Sequence, residues 1–408
     1  MLCSINDRPA IRAPERTCIM DIAHHPVAQR GYLPAIFAGL AASLVGIGLA
    51  RFAYTPLLPA MIHDRWFPAS MVAYLGAANL AGYLLGALSG RAMARYASAV
   101  TVLRLSTLLA AVSFLACAFP LSEVWFFSWR LLSGVAGGAI MVLVSSVVLH
   151  RVPPARKGIA SGAIFLGVGV GVTISGTLVP LMLDISLRAA WLTLGALSLA
   201  LVAMSWHAWP ADDHTRIKSL AALQKDPTPR ALRVLLFQYA LAALGLVPEM
   251  LFLVDYMSRS LGLGTALGSA AWVAYGVGAM IGPIAYGMAA DRWGARNSLR
   301  AALGLQALAV AALATIDSVP ALIALAVAIG SFPAGVVPLG LSRLHVLVPQ
   351  AHAREAMWSR LTVAFALAQA VGGYFYSAIY SWTGGRHIVT FWIGAAALAA
   401  AALLNVMD

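Results

Sequence analysis

Twelve apolar runs, each long enough to cross a bilayer, dominate this chain. They lie near residues 33–61, 70–92, 98–119, 123–149, 158–183, 189–209, 233–257, 266–290, 299–316, 320–344, 356–380 and 388–406. A hydrocarbon core of roughly 30 Å takes about 20 residues of helix, at about 1.5 Å per residue. That core holds no water to satisfy backbone N–H and C=O groups, so isolated runs of this length must be helical. Only 10% of the residues are charged, and the mean hydropathy is +0.84. Such a composition excludes a soluble globule. The expected class is an all-α membrane protein.

The 27 lysines and arginines test this map. Twenty-one fall in the N-terminal tail and in loops that alternate on one side. Four (Arg65, Arg188, Arg259 and Arg386) fall on the other, and Arg51 and Arg130 lie within spans. Bases accumulate on the cytoplasmic side of membrane proteins, so both termini are expected there. The same bias accounts for the net charge of +12 without a nucleic-acid partner; the expected surroundings are the lipid bilayer. Residues 1–31 read as a flexible cytoplasmic tail without the apolar core of a signal peptide, and Met20 is an alternative start. Residues 210–232 read as a cytoplasmic linker, with a short interfacial helix at Thr215–Leu223. It divides one six-helix bundle, 32–209, from another, 233–408. The cysteines Cys3, Cys18 and Cys117 have neither a disulfide framework nor metal-ligand spacing. No cofactor, metal or catalytic constellation is expected, so the chain does not read as an enzyme.

One loop carries a compact motif. Gly287-Met288-Ala289-Ala290-Asp291-Arg292-Trp293-Gly294-Ala295-Arg296 reads G-x-x-x-D-R-x-G-x-R, and Gly86 to Arg95 echo it 201 residues earlier. At that offset Tyr74 matches Tyr275, Gly86 matches Gly287, Arg91 matches Arg292 and Arg95 matches Arg296. Gly287 would permit close helix approach, Gly294 a tight turn, and Asp291 could cap a neighbouring helix N-terminus. The motif resembles the loops between the second and third, and eighth and ninth, helices of the major facilitator superfamily. That resemblance implies twelve helices in two pseudo-symmetric bundles and transport of a small-molecule solute by alternating access. It assigns Gly86, Arg91, Arg95, Gly287, Asp291, Arg292 and Arg296 to gating. In the first copy Gly90 stands where the pattern has Asp, which leaves Asp291 to act alone at the N-terminus of the fifth helix.

Arg130-Leu131-Leu132-Ser133-Gly134 in the fourth run resembles a further superfamily pattern. A charge within a span costs roughly 2.5–3.5 kcal/mol on insertion, so Arg130 should face a cavity or a partner. Binding substrate and stapling helices through carbonyls are both open to it. The run Ala50-Arg51-Phe52-Ala53-Tyr54-Thr55-Pro56-Leu57-Leu58-Pro59 is similar to the first helix of the YbfB/YjiJ-like bacterial branch. Arg51, Tyr54 and Thr55 share a helical face, and Pro56 and Pro59 should bend the helix beyond them. With Asn79, Arg130, Gln238 and Gln369 they form the expected substrate-contacting set.

Glu249 is the carboxylate placed well inside a span, at a depth similar to Arg51 and Arg130. A desolvated acid suits proton coupling, and Glu249 is the expected proton site, paired with Arg51 or Arg130. Asp255 should sit nearer the interface, paired with Arg259 at i+4. The acids of the first half (Asp64, Glu123 and Asp184) all fall at run ends. A base-lined first half favours a small anionic or polar solute. The expectation is therefore a monomeric, proton-coupled secondary transporter of the bacterial inner membrane. Proton-driven drug or metabolite efflux is the alternative within transport. A sensor or scaffold that kept the fold is the alternative outside it.

Overall fold

The computed structural model describes residues 31–153, 156–210 and 230–404, excepting the side chains of 351, 352 and 355. The N-terminal tail and the Thr215–Leu223 segment lie outside the described residues. Every regular element among them is a helix. Twelve spans follow in order: Leu33–His63, Ala69–Ala97, Ala99–Cys117, Glu123–Leu149, Lys157–Leu183, Leu187–Ser205, Arg230–Ser260, Gly264–Trp293, Ala295–Leu313, Val319–Leu347, Ala351–Trp382 and His387–Leu404. All but the ninth are long and apolar enough to cross a membrane by composition alone. The ninth carries Arg296 and Arg300 in its first turns and buries Gln306. Serine hydroxyls cap three spans: Ser98, Ser122 and Ser186 each accept the N–H three residues on.

The first and seventh spans are broken. The first is α-helical over Leu33–Ser43, widens to a π-helix over Leu44–Leu49, and resumes as α-helix over Tyr54–His63. Pro56 has no N–H to give to Phe52, whose carbonyl instead accepts from Thr55 N at 3.3 Å. The seventh breaks between Gly245 and Val247, with Pro248 opening the next helix, and ends in a π-turn over Tyr256–Ser260.

Close helix crossings fix the internal repeat. A Cβ at Gly82 would overlap the Leu131 carbonyl, and one at Gly278 the Val327 carbonyl. Gly86 meets Val135 as Gly282 meets Ser331, and Gly134 meets Asn79 as Gly330 meets Tyr275. All these pairs are 196 residues apart. So are Ser98 and Gly294, which turn the chain after the second and eighth spans with φ of 60° and 81°. The offset of 201 read from the loop motif is therefore displaced by about a helical turn. In space Gly287 corresponds to Arg91 and Asp291 to Arg95, so Gly90 is not the place of the missing acid.

Among the described residues the contacts between the two halves gather toward one end. The fifth span packs on the eighth, the second on the eleventh, and Tyr54–His63 on Val247–Asp255. These contacts use Gly176 against Val273, Gly373 against Ala77 and Leu80, and Gly76 against Leu251. All lie away from the face bearing Arg91, Arg95, Arg292 and Arg296. On that basic face, Gly158, Gly162 and Gly287 have open space where a side chain would be.

Candidate functional site

Arg51 follows the π-helix of the first span and is partly buried. Its Nη2 donates to Gln369 Oε1 of the eleventh span at 2.7 Å. The guanidinium also lies over the rings of Phe52 and Tyr83, at 5.4 and 5.0 Å. Among the described residues this cation is held by one neutral amide and two π faces, with no carboxylate against it. Thr55 Oγ1 donates to the Met250 carbonyl at 2.5 Å, a second tie between the halves.

Arg130 is used differently. Its Nη1 donates to the Ala50 carbonyl at 2.7 Å, and its guanidinium lies 4.4 Å from the Tyr54 ring centre. Asn79 Nδ2 donates to Ser133 Oγ at 2.9 Å and reaches the Ala50 and Arg130 carbonyls at 3.5 and 3.4 Å. Tyr54 donates to the Val72 carbonyl at 2.6 Å. The broken first span exposes the Ala50 carbonyl, and the first, second and fourth spans converge on it. Of the two roles open to Arg130, this geometry fits the staple, with the residue 3% exposed and bonded to a backbone carbonyl. Gln238 stands apart from these groups and donates to the Ala401 carbonyl of the twelfth span at 3.0 Å.

Glu249 is fully buried in the first turn after the break in the seventh span. Its Oε1 accepts from Gln306 Nε2 at 3.2 Å, and Oε2 has no hydrogen-bond partner. The expected ion pair with Arg51 or Arg130 is not formed. Depth along a helix sets height and not direction, and Glu249 turns toward the ninth and tenth spans. Tyr275 of the eighth span tilts at 6.4 Å against Phe52, whose ring also carries the Arg51 guanidinium. Sequence reasoning missed Gln306 and Tyr275. A buried glutamine in an otherwise apolar run was the available signal for the first.

Asp255 pairs with Arg259 as expected, and it is buried within the protein. His387 of the twelfth span adds a contact to Asp255 Oδ2 at 2.7 Å, and Arg259 Nη2 donates to Tyr380 at 2.8 Å. Among the described residues no three His, Cys, Asp or Glu side chains converge as for a metal ion.

Residues 43–406 match the family model described as "Uncharacterised MFS-type transporter YbfB". The chain belongs to this major facilitator family. It is a secondary transporter and a multi-pass membrane protein, not an enzyme. Two solved structures share the fold. One is a bacterial homologue of the human lysosomal transporter Spinster, in an inward-facing and unoccupied conformation, at 14% identity and a TM-score of 0.65 over 93% of this chain and 96% of that one. The other is a D-xylose–proton symporter at 15% identity and a TM-score of 0.70, over 92% and 96%. No curated protein matches the chain significantly.

The residues that the loop resemblance assigns to gating are spread over the basic face. Gly86 packs on Val135, whereas a Cβ at Gly287 would meet none of the described residues, so the expected close approach at Gly287 is absent in this conformation. Gly294 makes the expected tight turn. Arg91 is partly buried, while Arg95, Asp291, Arg292 and Arg296 are exposed. Asp291 caps no helix here, and the fifth span begins at Arg156 without a side-chain cap.

Proposed function

We propose that this transporter carries a small anionic or polar organic solute across the bacterial inner membrane and couples its movement to protons. The observation that carries the proposal is Arg51: a partly buried cation beside the join of the halves, held by an amide and two rings. A solute carboxylate would displace Gln369 and gain a charge-assisted hydrogen bond. Among the described residues no carboxylate of the first half competes, since Asp64 and Asp184 sit at helix C-caps and Glu123 opens the fourth span. Arg130, Asn79 and Tyr54 shape the first span around Arg51, and Thr55 helps close the far end. Gln238 acts in bundle packing.

Glu249 is the proton site in this proposal. Burying a lone ionised carboxylate is costly, and an acid that gains and loses a proton during the cycle avoids holding that charge throughout. A solved relative of the same fold is a proton symporter by name, so coupling of this kind is within the fold's reach. The base distribution puts both termini and the 210–232 linker in the cytoplasm. The conformation described is then open inward, and Asp291 would engage the fifth span only when that face closes.

A thermal-shift panel on purified protein tests the substrate class. Carboxylates, sugars and cationic amphiphiles would be compared, since a ligand at 100 times its Kd stabilises by about 2.7 kcal/mol. Stabilisation by a carboxylate, lost in Arg51→Ala, is expected. Stabilisation by cationic compounds alone would favour drug efflux and contradict the anion assignment.

A further inference from the structure

At the far end of the second half, an imidazole joins solvent to a buried carboxylate. Asp255 is fully buried and accepts from Arg259 Nε at 2.5 Å and Nη2 at 2.8 Å. His387 opens the twelfth span and is 3% exposed. Its Nε2 lies 2.7 Å from Asp255 Oδ2, and its Nδ1 lies 2.7 Å from Ser260 Oγ. Ser260 is exposed. The donors and acceptors fix the state of the neutral ring. An ionised carboxylate only accepts, so Nε2 carries the hydrogen and Nδ1 accepts from the Ser260 hydroxyl. A proton on Nδ1 keeps both contacts, with the Ser260 oxygen then accepting. It also changes the charge of the cluster. Arg259 already balances Asp255, so a charged imidazole leaves one positive charge in surplus, and an uncompensated charge is costly out of water. Val247–Asp255, the segment that bears Asp255, is the one that packs on Tyr54–His63 at the far end. Admitting water to the surplus charge means moving that segment.

We infer that His387 is a proton-binding site separate from Glu249, filled through Ser260, and that its protonation favours opening of the far end. The Ser260 hydroxyl passes its hydrogen to Nδ1 and takes another from solvent, so the serine is regenerated. Histidine is the side chain whose ordinary charge change falls between about pH 5 and pH 8, which makes acidification the trigger. Asp255, Arg259 and Tyr256 face the ring from the seventh span and Tyr380 from the eleventh, the two phenol rings at 5.8 and 4.9 Å. The ninth span, packed along the twelfth, ends in residues 307–313 with no titratable side chain. Asp317, in the loop after it, and Arg386, beside the histidine, are exposed. Among the described residues the other histidine at this end is His63, exposed and in contact with Asp64.

The test uses full-length protein in nanodiscs with spin labels at Gly162→Cys and Gly287→Cys, both facing open space. Their separation shortens as the far end opens and the basic face closes. One linked proton changes a two-state ratio by up to about tenfold per pH unit. Between about pH 8 and about pH 5, the ratio of close to distant labels in the parent should therefore rise at least about fivefold. In His387→Gln the amide can donate to Asp255 and accept from Ser260 but takes up no proton, and the rise should be lost. Glu249→Gln and His63→Gln should keep it. A rise retained by His387→Gln overturns the inference, and so does its loss in Glu249→Gln or in His63→Gln. Hydrogen–deuterium exchange at the His387 ring carbon between the two nitrogens, read by mass spectrometry on the parent, tests protonation without a variant. Its rate should follow a titration over this range, and a rate that does not also overturns the site. None of these outcomes decides whether uptake runs through Glu249, which flux measurements on Glu249→Gln read separately.

Discussion

Arg51 reaches across the molecule to Gln369, Nη2 to Oε1 at 2.7 Å, so a cation of the first half is held by an amide of the second. A hydrogen bond to a charged group contributes about 1.5–3 kcal/mol. Gln369→Leu should therefore shift the balance between the two closed ends by roughly 10- to 150-fold, by the same relation of energy to population. Labels at 162 and 287 should move closer as the far end opens. An unchanged distance distribution would mean that the contact does not hold the halves.

The helix crossings make a prediction about stability. Gly82→Ala and Gly278→Ala each drive a Cβ into a backbone carbonyl, and overpacking of this kind costs about 1–3 kcal/mol. Both variants should lower the melting temperature in detergent. Gly287→Ala, beside open space, should not.

At the far end of the second half, Asp255 is buried against Arg259 and His387. Breaking a fully buried charge pair costs about 3–5 kcal/mol; Arg259 is 34% exposed, so the loss of Asp255 should cost less, on the order of 1–3 kcal/mol. Asp255→Asn should lower thermal stability far more than His63→Ala, whose contact to Asp64 is exposed. Equal melting temperatures for the two variants would contradict a structural role for the cluster.

Asp291 is exposed and caps nothing in the conformation described. Asp291→Asn should leave the melting temperature unchanged and reduce the population in which labels at 162 and 287 are close. A helix-terminus interaction contributes about 0.3–1 kcal/mol, up to about 2 when partly buried. If the close population is unaltered, Asp291 is no latch.

The span map was legible because each crossing needs a long apolar run, and the observed ends fall within a few residues of those expected. The ninth span was legible too, although Arg296, Arg300 and Gln306 lower its hydropathy. The repeat register was misread. Matching glycines and arginines in one loop favoured 201, while the physical repeat is carried by small residues at helix crossings such as Gly82 and Gly278. The break in the first span falls before Pro56 and Pro59, over the π-helix Leu44–Leu49 and the turn after it, and nothing in Leu-Val-Gly-Ile-Gly-Leu marks that π-helix locally. The direction of Glu249 was equally hidden. A rise of about 1.5 Å per residue gives depth, and rotation about the axis is decided by neighbours such as Gln306. His387 entered the Asp255 cluster only through packing of the twelfth span, as its position at the end of a run carries no such signal.

Transport measured in proteoliposomes tests proton-coupled carriage most directly. Protein would be reconstituted with a carboxylate identified by thermal shift, and uptake followed with and without an imposed proton gradient. The parent should accumulate the solute above its external concentration only when the gradient is present. Glu249→Gln should exchange labelled for unlabelled solute at a rate close to the parent, yet accumulate none. Gradient-driven accumulation by Glu249→Gln, or accumulation by the parent without a gradient, would contradict a proton-coupled cycle through this buried acid.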